Sequence, residues 1–433
     1  MLQKIIAFQL LLVLLTGLTF FAEAQKKEEG KPAIYETAWN SLSFRSIGPA
    51  FTSGRIADFA VNPDNPSEFY VGVAAGGVWK TTNKGLNFEP VFDSQGSYSI
   101  GVVEMDPNNH NVIWVGTGEN NNQRSVAYGD GVYKSMDGGK SWEHKGLKES
   151  EHIGMIAIDP YNSDVVYVAA TGPLWSAGGD RGLYKTTDGG DNWTKILDIS
   201  EHTGIHEVHL DPRNPNVIYA VAHQRRRHVF TYISGGPESS VYKSTDGGKS
   251  FRKIVKGLPS GDLGRIGLDI SPANPDVIYA VVEAQEDKGG FYKSTDLGES
   301  WVRQSDYSSS GNYYQEVIAD PVDVDLVYVM NTYAAVSEDG GKIFNNVGEQ
   351  NKHIDNHALW IDPKNPNYLL NGNDGGVYES WDRGKTWRFF PNLPVTQFYK
   401  LGVSNDYPFY YVYGGTQDNF SFGGPSQTTE TTG

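Results

Sequence analysis

Cysteine is absent from all 433 residues of the sequence. This absence excludes disulfide bonds, thiolate metal sites, a cysteine nucleophile and a lipid-modified N-terminal cysteine. Basic residues are also scarce, since 36 lysines and arginines face 52 aspartates and glutamates and leave a formal net charge of −16. A surface with this charge repels a phosphate backbone, so nucleic acid is not an expected partner.

An apolar run at the N-terminus has the form of an export signal. Lys4 precedes a largely apolar run from Ile5 to Phe21, and the segment ends in Ala22-Glu23-Ala24. The alternative is a transmembrane helix, but a run of about 17 residues is short for one. We predict a signal peptide over residues 1–24, a charged leader over 25–43, and export to the periplasm or the extracellular space.

Glycine and aromatic residues are abundant. The chain has 50 glycines, and 12% of its residues are aromatic. This composition favours short strands and tight turns over long helices. It predicts a globular all-β protein.

One short motif recurs through most of the chain. The pattern S/T-x-D-x-G-x-x-W/F begins at Ser135, Thr186, Ser244, Ser294, Ser337 and Ser380, and a seventh copy at Thr81 has Asn83 in place of aspartate. The copies recur every 40 to 60 residues or so, a period near that of one four-stranded propeller blade. Each repeat divides into four short strands, A to D, with the motif at the turn between strands C and D.

The repetition decides what the motif's aspartate does. A catalytic residue is needed once or twice, whereas an aspartate in every unit serves a need that every unit shares. Its carboxylate can accept hydrogen bonds in the turn, and the glycine supplies a positive φ angle. We therefore interpret Asp246 and its equivalents as structural residues.

This motif resembles the Asp-box, or BNR repeat, of secreted β-propellers. That group includes sialidases, sortilin-type receptor domains and xyloglucanase-like glycoside hydrolases with two tandem propellers. The resemblance covers roughly residues 44–423. It implies an all-β propeller of four-stranded blades, and it leaves the function open because such propellers serve as enzymes, receptors and assembly factors.

The number of blades has two solutions. Seven complete units run from Arg55 to Leu393, and three further strands follow within residues 394–433. The segment Ser43–Ser46 could supply a fourth strand to this last unit, which would give eight blades. We favour the other solution, in which a seven-bladed propeller spans 44–393 and residues 394–433 begin a further blade or a second propeller.

Binding residues are expected on the face opposite the Asp-boxes. Strands alternate in direction, so the B–C loops and the starts of the A strands share that face. The B–C loops of blades 2 to 4 (118–131, 172–182 and 223–240) are long, and loops on a rigid scaffold carry function. The predicted ligand-binding residues are Arg124, Trp175 and Arg226 in these loops and Arg55, His152, His206, Asp355 and His357 around the channel mouth.

Glycoside hydrolysis would need two carboxyl groups facing one sugar. Strand B ends carry Glu119, Glu283, Asp374 and Asp418, of which Glu119, Asp374 and Asp418 are the catalytic candidates. The resemblance to xyloglucanases implies a base aspartate before a Gly-Gly-aromatic stretch in the first blade, but Ala74 and Ala75 stand there. It also implies that the acid comes from a second propeller.

Our leading interpretation from sequence is an exported recognition propeller that binds a glycan or polypeptide on this face. The alternative is a xyloglucanase-like glycoside hydrolase that needs a second propeller for a complete active site. No cofactor and no metal site is predicted, because the Asp-rich turns lack the twelve-residue spacing and terminal glutamate of a calcium loop.

Overall fold

A computed structural model describes residues 53–427 of the chain. Every regular element in this range is a β-strand, and no helix within it has the length and apolarity to cross a membrane. The predicted signal peptide (1–24), the leader (25–43) and the strand at Ser43–Ser46 lie outside the described residues.

The strands form eight antiparallel sheets in chain order. The first sheet contains β1 (Ile56–Val61), β2 (Phe69–Val73), β3 (Gly77–Thr81) and β4 (Glu89–Pro90). The second contains β5 (Ile100–Met105), β6 (Ile113–Thr117), β7 (Val132–Ser135) and β8 (Glu143–His144). The third contains β9 (Ile153–Asp159), β10 (Asn162–Ala170), β11 (Gly182–Thr186) and β12 (Thr194–Leu197).

The fourth sheet has five strands: β13 (Thr203–Asp211), β14 (Asn214–His228), β15 (Thr231–Ser234), β16 (Ser240–Ser244) and β17 (Arg252–Lys253). The fifth contains β18 (Leu263–Ile270), β19 (Ile278–Ala284), β20 (Gly290–Ser294) and β21 (Val302–Ser305). The sixth contains β22 (Val317–Ala319), β23 (Val327–Val329), β24 (Ala335–Ser337) and β25 (Asn345–Asn346). The seventh contains β26 (Asn356–Ile361), β27 (Leu369–Asn373), β28 (Gly376–Ser380) and β29 (Arg388–Phe389). The eighth contains β30 (Phe398–Val403), β31 (Tyr411–Thr416) and β32 (Ser421–Pro425).

Neighbouring sheets pack through close contacts between small and branched residues. Gly116 in β6 lies against the third sheet, where an added Cβ atom would be 2.4 Å from Ile153 Cγ2. Gly372 in β27 lies in the same way against the first sheet, 2.6 Å from Ile56 Cγ2. The first and seventh sheets also share one hydrophobic cluster. Residues far apart in sequence are therefore neighbours where β26 meets β1.

The first strands of seven sheets line one central cavity of about 310 Å³. We call this cavity the channel. The all-β propeller fold with its four-stranded blades is confirmed, and the count of seven blades stays a prediction. One loop differs from expectation, since part of the predicted loop 223–240 is a hairpin in which β15 pairs with an extended β14.

Each Asp-box forms the turn between the third and fourth strands, as predicted. In the fourth sheet the buried amide of Gly248 donates to Ser244 Oγ at 2.9 Å, and that hydroxyl contacts Asp246 Oδ1 at 2.7 Å. In all seven motifs the glycine amide donates a hydrogen bond in this way to the serine or threonine hydroxyl. The hydroxyl thus satisfies the buried donor, and the aspartate at the surface holds the hydroxyl and the following turn.

The eighth sheet differs from the others because its side chains are largely exposed. All six residues of β30 are exposed, including Leu401 (68%) and Val403 (64%). Tyr411 and Tyr413 in β31 are also about half exposed. Its β31–β32 turn nevertheless reaches the seventh sheet, because Asn419 Nδ2 donates to the Asp374 carbonyl at 3.0 Å.

Candidate functional site

Residues from four sheets meet at the channel mouth, on the face opposite the Asp-boxes. Arg55 lies just before β1 and donates through Nε and Nη2 to the two carboxylate oxygens of Asp374, at 2.7 and 2.9 Å. Its Nη1 donates to Glu119, just after β6, at 2.5 Å. His357 Nε2 lies 2.8 Å from Asp374 Oδ1, and Gln417 Nε2 donates to Asp374 Oδ2 at 2.9 Å. We call these five residues the mouth cluster.

Burial and pairing set the charge of the mouth cluster. The side chains of Arg55 and Asp374 are only 8% and 3% exposed. Burial by itself raises the pKa of Asp374, but His357 and Arg55 outweigh it and hold that pKa well below its usual range. Desolvation lowers the pKa of Arg55, whereas Asp374 and Glu119 raise it and leave it above the ordinary value. Asp374 is therefore a fixed negative charge at neutral pH.

Asp418 is a second carboxyl group beside Asp374. Gln417 Nε2, which binds Asp374, also donates to Asp418 Oδ2 at 3.1 Å. Burial and a hydrogen bond with Asp374 raise the pKa of Asp418, although Gln417 lowers it in part. The two neighbouring carboxyl groups thus have pKa values displaced in opposite directions, which is the condition for separate acid and charge-stabilising roles.

Aromatic rings surround the mouth cluster. The ring centroid of Tyr313 lies 5.4 Å from Arg55 Cζ. Tyr314 stacks on His357 with centroids 5.3 Å apart, and its hydroxyl donates to Asp355 at 2.6 Å. Such rings offer an apolar face and a polar edge to a ligand.

Two residues here have an unusual backbone. Asp355 and Asp418 have positive φ angles of 63° and 50°. A non-glycine residue in this region costs conformational energy, and such residues cluster at functional sites. Both were predicted from sequence as site residues, and both lie at the mouth cluster.

The loop after β6 crosses the channel mouth. We call residues 119–123 the plug loop. Asn122 reaches the segment just before the sixth sheet. Its backbone N–H donates to Asn312 O at 2.9 Å, and its side-chain Nδ2 donates to Gly311 O at 2.8 Å. Arg265 Nη1 donates to the Asn120 carbonyl at 3.3 Å. The plug loop therefore lies between the mouth cluster and the channel, which Asn120 lines.

Two predicted histidines are buried rather than open to a ligand, and one of them, His152, contacts this loop. His152 is 0% exposed, and its Nδ1 lies 3.1 Å from the Glu119 carbonyl. His206 is 1% exposed, and its Nε2 lies 2.7 Å from Ile266 O. Burial lowers the pKa of both, that of His206 to about 4. Their contact with a ligand stays a prediction, and in the structure both side chains contact backbone carbonyl groups.

The other predicted loop residues lie outside the mouth cluster. Arg226 Nη1 donates to the Trp175 carbonyl at 3.2 Å, so these two residues meet. Arg124 is exposed on the plug-loop side. Sequence reasoning did not select Gln417 or Tyr314, although Gln417 precedes the predicted Asp418 in the same turn.

A family model described as "Sortilin-Vps10: Sortilin, neurotensin receptor 3" matches residues 130–258 and 181–333. A probable oligoxyloglucan-reducing end-specific xyloglucanase of Neosartorya fischeri is 24% identical over 370 residues, covering 74% of this chain and 43% of that protein. Xyloglucanase Xgh74A of Acetivibrio thermocellus is 23% identical over 357 residues, covering 73% and 41%.

Solved structures show the same relationship at the level of the fold. The GH74 xyloglucanase from Xanthomonas campestris superposes with a TM-score of 0.63 at 16% identity, over 86% of this chain and 59% of that one. The GH74 enzyme of Niastella koreensis gives 0.60 at 18% identity, over 86% and 60%. This chain is an Asp-box β-propeller. It is similar to these xyloglucanases and spans about two fifths of the length of the curated relatives.

A third similar solved structure contains a bound peptide. YCF48 bound to D1 peptide gives a TM-score of 0.51 at 14% identity, over 79% of this chain and 98% of that one. These three structural likenesses fall below 25% identity, so they define the fold of this Asp-box propeller and not its activity.

Proposed function

We propose that this Asp-box propeller is the substrate-binding propeller of a glycoside hydrolase, with the glycan held over the mouth cluster. The pairing of Asp374 with Asp418 is the observation that carries the proposal. The similarity to xyloglucanases supports it, and it replaces the recognition module as the leading interpretation.

The two carboxyl groups suit different steps of the reaction. Asp418, with its raised pKa, donates a proton to the departing glycosidic oxygen. Asp374, kept ionised by Arg55 and His357, raises the pKa of Asp418 through their hydrogen bond and so keeps the acid protonated. Because Ala74 and Ala75 stand where the resemblance implies a base, the group that activates water comes from a further domain.

In a longer chain that carries the further domain, release of reducing ends from xyloglucan and from unsubstituted β-glucans tests this activity. Asp418→Asn removes the proton donor and is expected to lower the rate by at least about a hundredfold, within the usual range for a general acid. Asp246→Asn, in an Asp-box on the opposite face, is the matched control and should retain full activity. Equal rates for both variants would rule out Asp418 as the acid.

We also propose that the eighth sheet begins a second propeller. In the second, seventh and eighth sheets the first strand has a bulge, and the residue after the bulge pairs with a glycine of the second strand. That glycine is Gly116, Gly372 and Gly415, respectively. Gly116 and Gly372 receive an isoleucine from the next sheet. Among residues 53–427, by contrast, only Ser421 Oγ lies within 4 Å of a Cβ atom added to Gly415, at 3.9 Å. The sheet therefore offers an unfilled position of the kind that a following sheet occupies.

Gly415→Val tests the second propeller directly. In residues 1–433 the change should leave the melting temperature unaltered, because within the described part of the chain only Ser421 lies within 4 Å of the added Cβ atom. In a longer chain that carries further Asp-box repeats, the same change should destabilise the protein, because a branched side chain would collide with the next sheet. An unaltered melting temperature in both chains would contradict the proposal.

A recognition module without hydrolysis is the second candidate function. Ala74 and Ala75 favour it, because a carboxylate that the resemblance implies is missing. Glycan binding without release of reducing ends, with the further domain present, would support this candidate.

We further propose that the chain is exported. The segment 1–24 supports this proposal through its apolar run and Ala-Glu-Ala ending. Mass spectrometry of protein expressed from the full sequence should find an N-terminus at Gln25. An intact N-terminal segment on protein recovered from the cytoplasm would contradict it.

A further inference from the structure

Five arginines lie close together on the loop face of the third, fourth and fifth sheets, in a chain whose net charge is −16. They share neighbouring partners. Arg225 Nη1 donates to the Asn121 carbonyl at 3.0 Å and its Nη2 to the Gly172 carbonyl at 3.1 Å, and Arg265 donates to Asn120. We call Arg181, Arg225, Arg226, Arg227 and Arg265 the cationic cluster.

The cationic cluster lacks matching negative charge. Within residues 53–427, Arg181, Arg225, Arg226 and Arg227 make no ion pair, and their guanidinium groups donate mainly to carbonyl and amide oxygens. Arg265 lies 3.9 Å from the carboxylate of Glu316, and its backbone amide donates to Glu283 at 3.2 Å. Glu151 interacts electrostatically with Arg181 and Arg225, so these five arginines face three carboxylates. This excess of positive charge distinguishes the site from the rest of an acidic surface.

Several guanidinium donors are also unused. Arg225 and Arg265 are each 2% exposed, and Arg225 Nε and Arg265 Nη2 have no hydrogen-bond partner among the described residues. Burial lowers the pKa of Arg225 to about 9, with the charge of Arg181 adding to the effect. An anion bound nearby would relieve this mutual repulsion.

The hairpin of β14 and β15 presents part of the cluster to the mouth. Strand alternation places Arg225 and Arg227 on one side of the hairpin and Arg226 on the other. Arg227 stands opposite Tyr232, with its Cζ 4.1 Å from the ring centroid. At the hairpin tip Phe230 is 88% exposed. The hairpin therefore carries a cation–ring pair at Arg227 and Tyr232 and an exposed ring at its tip.

The hairpin of β14 and β15 is connected to the mouth cluster through the plug loop. Arg227 Nε donates to the Asn122 carbonyl at 2.7 Å, and its Nη2 donates to Asn312 Oδ1 at 3.1 Å. Gln123 in turn donates to the hydroxyl of Tyr313, whose ring lies over Arg55. A chain molecule lying across the mouth would contact both regions.

We propose that the cationic cluster binds the carboxylate of an acidic sugar, so that the glycan recognised by this propeller contains uronic acid. This inference rests on the proposed function, because it takes the loop face as the glycan site. Guanidinium groups match carboxylates through paired hydrogen bonds, and Tyr232 and Phe230 provide faces for sugar rings. The exposed ring of Phe230 beside these cations favours a glycan over an acidic peptide.

Calorimetric titration with three probes tests the inference: tetragalacturonate, the neutral cellotetraose and tetraglutamate. Tetragalacturonate should bind at least about tenfold more tightly than cellotetraose, and added salt should reduce the difference. Arg227→Gln should weaken tetragalacturonate binding about tenfold and leave cellotetraose unaffected. Arg226→Gln, on the other side of the hairpin, gives a second variant if Arg227→Gln does not fold.

Arg213→Gln is the matched control, because Arg213 lies in the β13–β14 turn and pairs with Asp211 and Asp276. It should not change the affinity. Equal affinity for both sugars, or an equal loss in Arg213→Gln and Arg227→Gln, would overturn the inference while the proposed function stands. Stronger binding of tetraglutamate would point to a peptide ligand instead. Failure of both sugars to bind would overturn the inference and the glycan site together.

Discussion

At the scale of single residues, the Asp-box divides its work between two side chains. Ser244 is 1% exposed, and its hydroxyl accepts a hydrogen bond from the buried amide of Gly248. Asp246 instead accepts hydrogen bonds from the Ser244 hydroxyl and from the surface amide of Ser250. Hydrogen bonds from Ser250 and Ser244 lower the pKa of Asp246. The residue that gives the motif its name is therefore not the one that satisfies its buried donor.

Ser244→Ala should consequently destabilise the protein more than Asp246→Ala. The first change leaves the Gly248 amide without a partner, at a cost of about 1–3 kcal/mol. The second change removes the acceptor of the Ser244 hydroxyl and of the Ser250 amide, but Asp246 lies at the surface, so water can take the place of its carboxylate. Chemical denaturation of both variants measures the difference, and a larger loss in Asp246→Ala would contradict this account of the turn.

Arg55 is the residue on which the mouth cluster depends most. Arg55→Gln leaves Asp374 and Glu119 buried without their cation, which should cost about 3–5 kcal/mol. Arg55→Lys keeps the charge and should lose less, because only the paired geometry with Asp374 disappears. Urea unfolding of the three proteins checks this order, and identical losses for Gln and Lys would contradict it.

The sequence revealed some of these residues and concealed others for physical reasons. The Asp-boxes are local, so the pattern in one repeat predicted the turn in all of them. Arg55, Asp355 and Asp374 were found because their positions at strand ends repeat with the blades. Gln417 and Tyr314 act through contacts between different sheets, which no local pattern encodes.

At the scale of elements, the plug loop joins distant sheets. Asn122 is 2% exposed and contacts both Arg225 and Gly311. The length of the loop was visible in the sequence, but its course across the mouth depends on which sheets face each other. The hairpin of β14 and β15 was concealed in the same way, because Arg225–His228 carries no turn signal of its own.

Asn122→Ala should loosen the plug loop without unfolding the propeller. The change removes the Oδ1 acceptor of Arg225 Nη1 and the Nδ2 donor to the Gly311 carbonyl, at about 1–3 kcal/mol. Hydrogen exchange should accelerate in residues 118–131 and 310–315 and remain unchanged in the Asp-box turns. Asn192→Ala, in an exposed Asp-box, is the control, and unchanged exchange at 118–131 in Asn122→Ala would contradict the role of the loop.

At the scale of the whole molecule, the channel concentrates acidic groups from several sheets. Burial raises the pKa of Asp58 to about 7 and that of Asp269 to about 6. Burial, followed by neighbouring charges, places the pKa of Glu104 and Glu316 at about 8. The Glu316 side chain keeps 33% of its surface exposed to the cavity, which moderates the effect.

These carboxyl groups should make the protein less stable as the pH rises from 7 to 8.5. In this window the unfolded chain has already lost the protons, whereas the folded chain still holds some, so deprotonation costs folding free energy. The buried histidines do not interfere, because their lowered pKa values affect stability only below about pH 6.5. Melting curves across the window measure the slope, and Glu104→Gln should reduce it. A melting temperature that rises with pH would contradict this interpretation.

The central claim is that the propeller binds a glycan over the mouth cluster, on the face opposite the Asp-boxes. Hydrogen exchange with and without a bound oligosaccharide, either xyloglucan-derived or uronic acid-containing, tests this claim most directly. If the oligosaccharide lies over the mouth cluster, exchange should slow in residues 118–124, 223–234 and 396–419 and should not change in the Asp-box turns. Protection confined to the Asp-box face, or no protection with either oligosaccharide at saturating concentration, would contradict it.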